Sequence, residues 1–123
     1  MARILLADDD VALRTLVHKA LSGDGHHVIA VDDGLDALAT LSSQAFDLVV
    51  SDLDMPGLDG MGLAAKITSG TTPGAASTKI LLISGLADEL QRASGFPPER
   101  VATLQKPFTL GQLREKVRAM LRA

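Results

Sequence analysis

The chain has 123 residues, a length typical of one domain. Hydrophobic residues make up 46% and charged residues 22%, and the formal net charge of −3 argues against direct binding to nucleic acid. The absence of cysteine excludes disulfides and thiolate metal sites and fits a reducing compartment. No signal-peptide pattern occurs, and no apolar run approaches the roughly 18 residues of a membrane span. These features predict a cytoplasmic protein without membrane contact.

Apolar runs and helical periodicities alternate along the whole chain. Apolar runs predict five β-strands, at about 3–7, 27–31, 46–51, 79–84 and 101–104. Helical spacing predicts one helix after each strand: about 11–22, one after Asp32 or Asp33, and about 59–68, 86–93 and 109–122. The apolar stripe of the first helix is Leu13, Leu16, Val17, Ala20 and Leu21, and that of the second is Leu35, Leu38 and Leu41.

Two segments interrupt this regular pattern. Residues 69–78 form a connector longer than usual, which we expect to be flexible. Gly95, Pro97 and Pro98 limit the fourth helix, which should therefore be short. Five strand–helix units in series predict a doubly wound α/β fold with a parallel sheet and helices on both faces. No internal repeat or linker divides the chain, so residues 1–123 are expected to form one domain.

Four of the five predicted strands end at residues that could carry out chemistry. Asp8 and Asp9 follow the first strand, Asp52 the third, Ser84 closes the fourth, and Lys106 follows the fifth. Parallel strands place their carboxyl ends at one edge of the sheet, where α/β proteins bind ligands. Carboxylates, a hydroxyl and an ammonium group at that edge would suit a divalent cation and a phosphoryl group.

Each of these residues also has an ordinary structural interpretation. Asp10 suits the N-cap of the first helix, so the three consecutive acids could form a capping cluster. Asp54 precedes Pro56-Gly57 and could be only a turn residue. Neighbouring residues in an extended chain point to opposite sides, so Asp8 and Asp9 need a tight turn before both can serve one cation.

Taken together, the motifs resemble the receiver domain of two-component response regulators. The resemblance covers essentially the whole chain and is carried by three segments, residues 4–10, 47–60 and 106–108. It implies a five-stranded parallel sheet in the order 2-1-3-4-5 with five helices.

The resemblance also implies roles for the acidic residues. Asp52 would be the phospho-acceptor and a Mg²⁺ ligand. Asp9 would bind Mg²⁺ directly, and Asp8 would act largely through water. The backbone carbonyl of Asp54 would complete the protein's share of the coordination.

For the remaining site residues the resemblance implies a switch. Ser84 would donate to a phosphoryl oxygen, and Lys106 would pair first with Asp52 and then with the phosphoryl group. The family often has an aromatic switch residue three positions before the lysine, where this chain has Thr103. Burial of an aromatic ring therefore cannot be assumed.

The resemblance implies partners of two kinds. A sensor histidine kinase or a histidine phosphotransferase would donate the phosphoryl group, and an effector protein would bind the surface made by the fourth helix, fifth strand and fifth helix. Because no output domain is expected, the chain would be a single-domain switch without turnover beyond its own phosphorylation and dephosphorylation. It is similar to CpdR-like cell-cycle adaptors, while a motor-binding regulator and a phosphorelay shuttle remain alternatives.

Two interpretations from other classes remain open. Asp52-Leu53-Asp54 resembles the paired acids of haloacid-dehalogenase-like phosphatases, although that interpretation leaves Asp8 and Asp9 unexplained. A pseudo-receiver would bind a partner without phosphorylation. The complete set of acids, Ser84 and Lys106 argues against it, whereas Thr103 is compatible with it.

Overall fold

A computed structural model describes residues 1–70, 72 and 74–122 of the chain. Thr71 and Pro73, both within the predicted connector, and Ala123 lie outside the described residues. The strands are β1 Arg3–Ala7, β2 His27–Val31, β3 Leu48–Asp52, β4 Lys79–Ser84 and β5 Val101–Gln105. They form one parallel sheet in the order β2-β1-β3-β4-β5, which confirms the predicted fold class and strand order.

The helices alternate with the strands. They are α1 Val11–Gly23, α2 Gly34–Ser43, α3 Gly60–Thr68, α4 Ala87–Gln91 and α5 Leu110–Arg122. A 3-10 turn over Arg92–Gly95 continues the short α4. In the described part of the chain, no helix combines the length and the apolar character needed to cross a membrane.

The core has two apolar layers, one on each face of the sheet. Successive strand side chains point to opposite faces, so Leu5 and Val49 belong to one layer and Ile4 and Val50 to the other. The first layer is covered by α2, α3 and the segment of α4 with its 3-10 turn, and the second by α1 and α5. Because β3 is central and covered on both faces, all five of its residues are buried.

Two leucines of the predicted apolar stripes lie outside the core. Leu16 is 49% exposed and Leu35 is 59% exposed. In α1 the sheet covers only a narrow stripe that contains Val17 and Leu21, and Leu16 lies beside it. Leu35 lies in the first turn of α2, where its side chain is next to Gly57 of the loop after β3. Helical periodicity alone therefore predicted more buried leucines than the structure has.

The connector at 69–78 is anchored rather than free at several described positions. Thr72, Ala75 and Thr78 are buried. The Thr78 hydroxyl donates to the Phe46 carbonyl at 2.7 Å. The Arg100 guanidinium donates to the carbonyls of Ala75 at 2.9 Å and Thr78 at 3.0 Å. The expectation of a flexible connector is wrong at these positions, because side chains satisfy the backbone where no secondary structure does.

The start of α2 packs tightly against the loop that follows β3. A Cβ placed on Gly34 would lie 1.6 Å from the Leu58 carbonyl oxygen, so only glycine fits there. Asp33 caps the helix by accepting from the Asp36 N–H at 2.7 Å, one of the two caps that the sequence allowed. This contact holds the loop after β3 against the start of α2, near the carboxyl ends of the strands.

Candidate functional site

The turn after β1 directs Asp8 into the cleft at the edge of the sheet. The Asp8 N–H donates to Val31 O at 3.2 Å, and its carboxylate accepts from the Asp10 N–H at 2.9 Å. Asp10 is the N-cap of α1 and accepts from the Leu13 N–H at 3.2 Å. The Arg14 guanidinium donates to the Asp8 carbonyl at 2.7 Å. The predicted N-cap at Asp10 and the predicted turn after β1 therefore belong to one hydrogen-bonded segment.

This turn brings neighbouring acids to the same side of the chain. Carboxylate oxygens of Asp8, Asp9 and Asp52 all lie within 4.8 Å of one another. Asp8 and Asp52 are buried, whereas Asp9 is exposed. Three hard oxygen donors with one side open to solvent fit Mg²⁺, which keeps several waters and binds few protein carboxylates.

Lys106 reaches the same cleft from the loop after β5. Its Nζ lies 3.5 Å from Oδ2 of Asp52, and the lysine side chain is 32% exposed. Its backbone N–H donates to the Ser84 carbonyl at 2.8 Å, and the Lys106–Pro107 peptide bond is cis. The structure therefore joins two residues 54 positions apart in the sequence.

Burial dominates the electrostatics of both buried acids. Desolvation raises the pKa of Asp8, the charge of Asp52 raises it further, and the Asp10 N–H and Lys106 act in the opposite direction. Desolvation also raises the pKa of Asp52, with Lys106 as the main opposing influence. One lysine does not compensate for the burial of two acids, so a further cation would relieve the site.

Ser84 lies at the edge but is turned toward α4. It is 2% exposed, its hydroxyl donates to Oε2 of Glu89 at 3.4 Å, and it accepts from the Leu86 N–H at 3.1 Å. Glu89 was missed in the sequence analysis. The signal that could have identified it is an acid in the first turn of the helix that follows a strand-end serine. A Cβ on Gly85 would meet no atom within 4 Å, so this side of the cleft is open.

Asp54 and Thr103 lie at the margins of the site. Asp54 is exposed, and its backbone N–H donates to the Asp52 carboxylate. Thr103 is half-buried on β5 and lines a cavity of about 350 Å³ together with Leu90 of α4 and Phe96.

A second acidic group, Asp32, Asp33 and Asp36, lies at the start of α2. Asp33 serves as the helix cap, and its charge raises the pKa of Asp36. The helix N-terminus accounts for these acids without a ligand.

Comparison with known proteins agrees with this geometry. The sequence model of the response regulator receiver domain matches residues 4–118. The chain is 37% identical over 121 residues to the response regulator receiver protein CpdR of Brucella abortus (strain 2308), and covers 98% of both proteins. It is 35% identical over 120 residues to the transcriptional activator protein PfeR of Pseudomonas aeruginosa, of which it spans only 38%.

A solved response regulator structure has the same fold. The response regulator protein TrrA from Thermotoga maritima, solved in complex with Mg²⁺-BeF, has a TM-score of 0.81 and 29% identity, with 98% of this chain and 100% of that chain covered. The chain described above belongs to the response regulator receiver domain family. It is a signalling domain of the two-component type.

Proposed function

We propose that this chain is a phosphorylation switch in which Asp52 accepts a phosphoryl group. The observation that carries the proposal is the placement of the buried Asp52 carboxylate between two other acids and Lys106. A nucleophile, a cation and a set of metal ligands then meet in one cleft. The donor is a sensor histidine kinase or a histidine phosphotransferase, as family membership suggests.

In the proposed transfer, a carboxylate oxygen of Asp52 attacks the phosphorus of a phosphohistidine. The P–N bond breaks, the imidazole leaves with the electron pair, and an acyl phosphate remains on Asp52. Lys106, 3.5 Å from Asp52, donates to the transferred group and stabilises its negative charge. Phosphoryl transfer depends chiefly on such positioning and charge stabilisation.

The residues that would hold Mg²⁺ are Asp9 directly, Asp8 largely through water, Asp52, and the backbone carbonyl of Asp54. The burial of Asp8 and Asp52, with oxygens of Asp8, Asp9 and Asp52 within 4.8 Å of one another and Lys106 beside them, supports a cation requirement. When bound, Mg²⁺ supplies positive charge to the phosphoryl oxygens. The chain catalyses only its own phosphorylation and dephosphorylation in this proposal, and does not turn over other phosphate esters.

The output surface in this proposal consists of α4, β5 and α5, with residues 1–123 as one receiver domain. Phosphorylation draws Ser84 toward Asp52, and the segment from Gly85 to Ala87 transmits the change, because Thr103 provides no ring to bury. An effector protein then binds this surface in the cytoplasm, without direct contact with nucleic acid or membrane. Similarity to the receiver protein CpdR over 98% of both chains supports a CpdR-like single-domain switch.

Intact mass measurement after incubation with acetyl phosphate and Mg²⁺ tests the proposal. One phosphoryl group is expected on the wild-type chain and none on Asp52→Asn or in EDTA. Asp59→Asn is the matched control, because it neutralises an exposed acid outside the site and Asn can still cap α3. A phosphoryl group that persists on Asp52→Asn would show that the acceptor is another residue.

A further inference from the structure

The Ser84 hydroxyl is already engaged before any phosphoryl group arrives. It donates to Glu89 at 3.4 Å and accepts from the Leu86 N–H at 3.1 Å. A hydroxyl has one proton and can donate it to one acceptor at a time. If Ser84 is to donate to a phosphoryl oxygen on Asp52, its bond to Glu89 must break.

We propose that Glu89 is a positioning residue that holds the Ser84 hydroxyl away from Asp52 and ties α4 to β4 until phosphorylation. This inference rests on the proposed role of Asp52. Phosphorylation exchanges the acceptor of one proton, from the Glu89 carboxylate to the phosphoryl group. That exchange releases the side-chain link between the end of β4 and α4.

Helix α4 has little buried surface besides Leu90, which packs against the core layer that contains Ala93 of the following turn. It has five residues, none of them buried, and its N-cap Leu86 provides no side-chain hydrogen bond. A cavity of about 350 Å³ lies beside the end of the helix and is lined by Leu90, Phe96 and Thr103 among others. A short helix with little buried surface is stabilised by few contacts, so one hydrogen bond can shift its position.

An ordinary explanation for Glu89 is a favourable charge at the start of a helix. Asp88 lies in the same turn, is exposed, and carries the same charge. Ser84, however, donates to Glu89. Asp88 is therefore the matched control, because its replacement removes the same charge and leaves the link intact.

The test is titration of the whole chain with beryllofluoride in the presence of Mg²⁺, followed by ¹⁹F NMR and calorimetry. Glu89→Ala is expected to bind beryllofluoride about threefold to tenfold more tightly than wild type, because the resting hydrogen bond no longer opposes binding. Glu89→Gln keeps an acceptor oxygen and should show a smaller gain. Asp88→Ala should match wild type, and Glu89→Ala should give no gain in a Ser84→Ala background.

Amide exchange provides a second measurement. In wild type, exchange of residues 85–91 should increase on beryllofluoride binding, and in Glu89→Ala it should already be increased without ligand. The link is wrong if Glu89→Ala and Asp88→Ala bind beryllofluoride with equal affinity. It is also wrong if Glu89→Ala gives its full gain in beryllofluoride affinity in the Ser84→Ala background. Either result leaves the proposed function intact. Failure of wild type itself to bind beryllofluoride would overturn both proposals.

Discussion

Replacement of Asp8 by Asn is expected to stabilise the metal-free protein and to remove most of its stabilisation by Mg²⁺. Asp8 is 4% exposed and Asp52 is 8% exposed, and their carboxylate oxygens lie within 4.8 Å. Asn keeps an oxygen that accepts the Asp10 N–H, so the turn after β1 should survive. The change therefore removes one buried charge from the cluster with little change in shape.

The size of this stabilisation follows from the charges that surround Asp8. Two unit charges at this separation repel by about 3 kcal/mol at an effective dielectric constant of about 20. The attraction of Lys106 and the hydrogen bond from the Asp10 N–H offset part of that repulsion in wild type. We therefore expect Asp8→Asn to raise the free energy of unfolding in EDTA by about 1–2 kcal/mol.

Mg²⁺ should reverse this order. A ligand at about 100 times its Kd stabilises the native state by about 2.7 kcal/mol. Wild type should gain that amount, whereas Asp8→Asn, with one oxygen ligand weakened, should gain little. Because about 2.7 kcal/mol exceeds the difference of about 1–2 kcal/mol in EDTA, wild type should be the more stable of the two proteins in Mg²⁺.

Urea unfolding followed by far-UV circular dichroism measures both quantities, since the chain contains no Trp or Tyr for fluorescence. Asp59→Asn is the control, because Asp59 is an exposed N-cap and Asn caps a helix equally well. If Asp8→Asn is less stable than wild type in EDTA, repulsion between Asp8 and Asp52 does not destabilise the metal-free protein. If Mg²⁺ raises its free energy of unfolding as much as that of wild type, Asp8 does not contribute to Mg²⁺ binding.

The same argument predicts a pH dependence. Burial raises the pKa of Asp8 in the folded protein, so the wild-type penalty exists above that pKa and is lost as the pH falls below the unfolded value of about 3.9. The stability difference between Asp8→Asn and wild type should therefore narrow from pH 7 toward pH 4. If this stability difference stays constant from pH 7 to pH 4, its cause is not the charge of Asp8.

Three further outcomes are expected. Asp9→Ala should weaken Mg²⁺ binding more than Asp8→Ala in calorimetry, and equal affinities would contradict unequal roles. Gly34→Ala should lower the free energy of unfolding by about 3 kcal/mol or more through overpacking, whereas Gly111→Ala in α5 should be neutral or stabilising. Beryllofluoride binding should change amide exchange across residues 86–104, and changes confined to the loops around the site would contradict the proposed output route.

Much of the fold could be predicted because its signals are local. Strand β4 was predicted with the bounds that the structure has, and Asp10 and Asp33 cap the helices that the sequence assigned to them. The buried faces were less accurate. Leu16 and Leu35 fit a helical period, yet the width of the covered stripe depends on how each helix lies on the sheet.

The sequence by itself determined which residues close the strands. Each strand is mostly apolar, and the residues at or just after its carboxyl end lie at one edge of a parallel sheet. Asp8, Asp52, Ser84 and Lys106 were identified on that basis, together with the family they resemble. Periodicity and turn chemistry act over a few residues, so a single chain carries these signals directly.

Only the tertiary structure decided which of these groups meet. The distance between Lys106 and Asp52 spans 54 positions and depends on the packing of β3, β4 and β5. The turn that places Asp8 and Asp9 on one side, and the bond that turns Ser84 toward Glu89, likewise depend on neighbours in space. Hydrogen bonds and charge interactions act over a few ångströms, so folding must set those distances before the chemistry of the site is fixed.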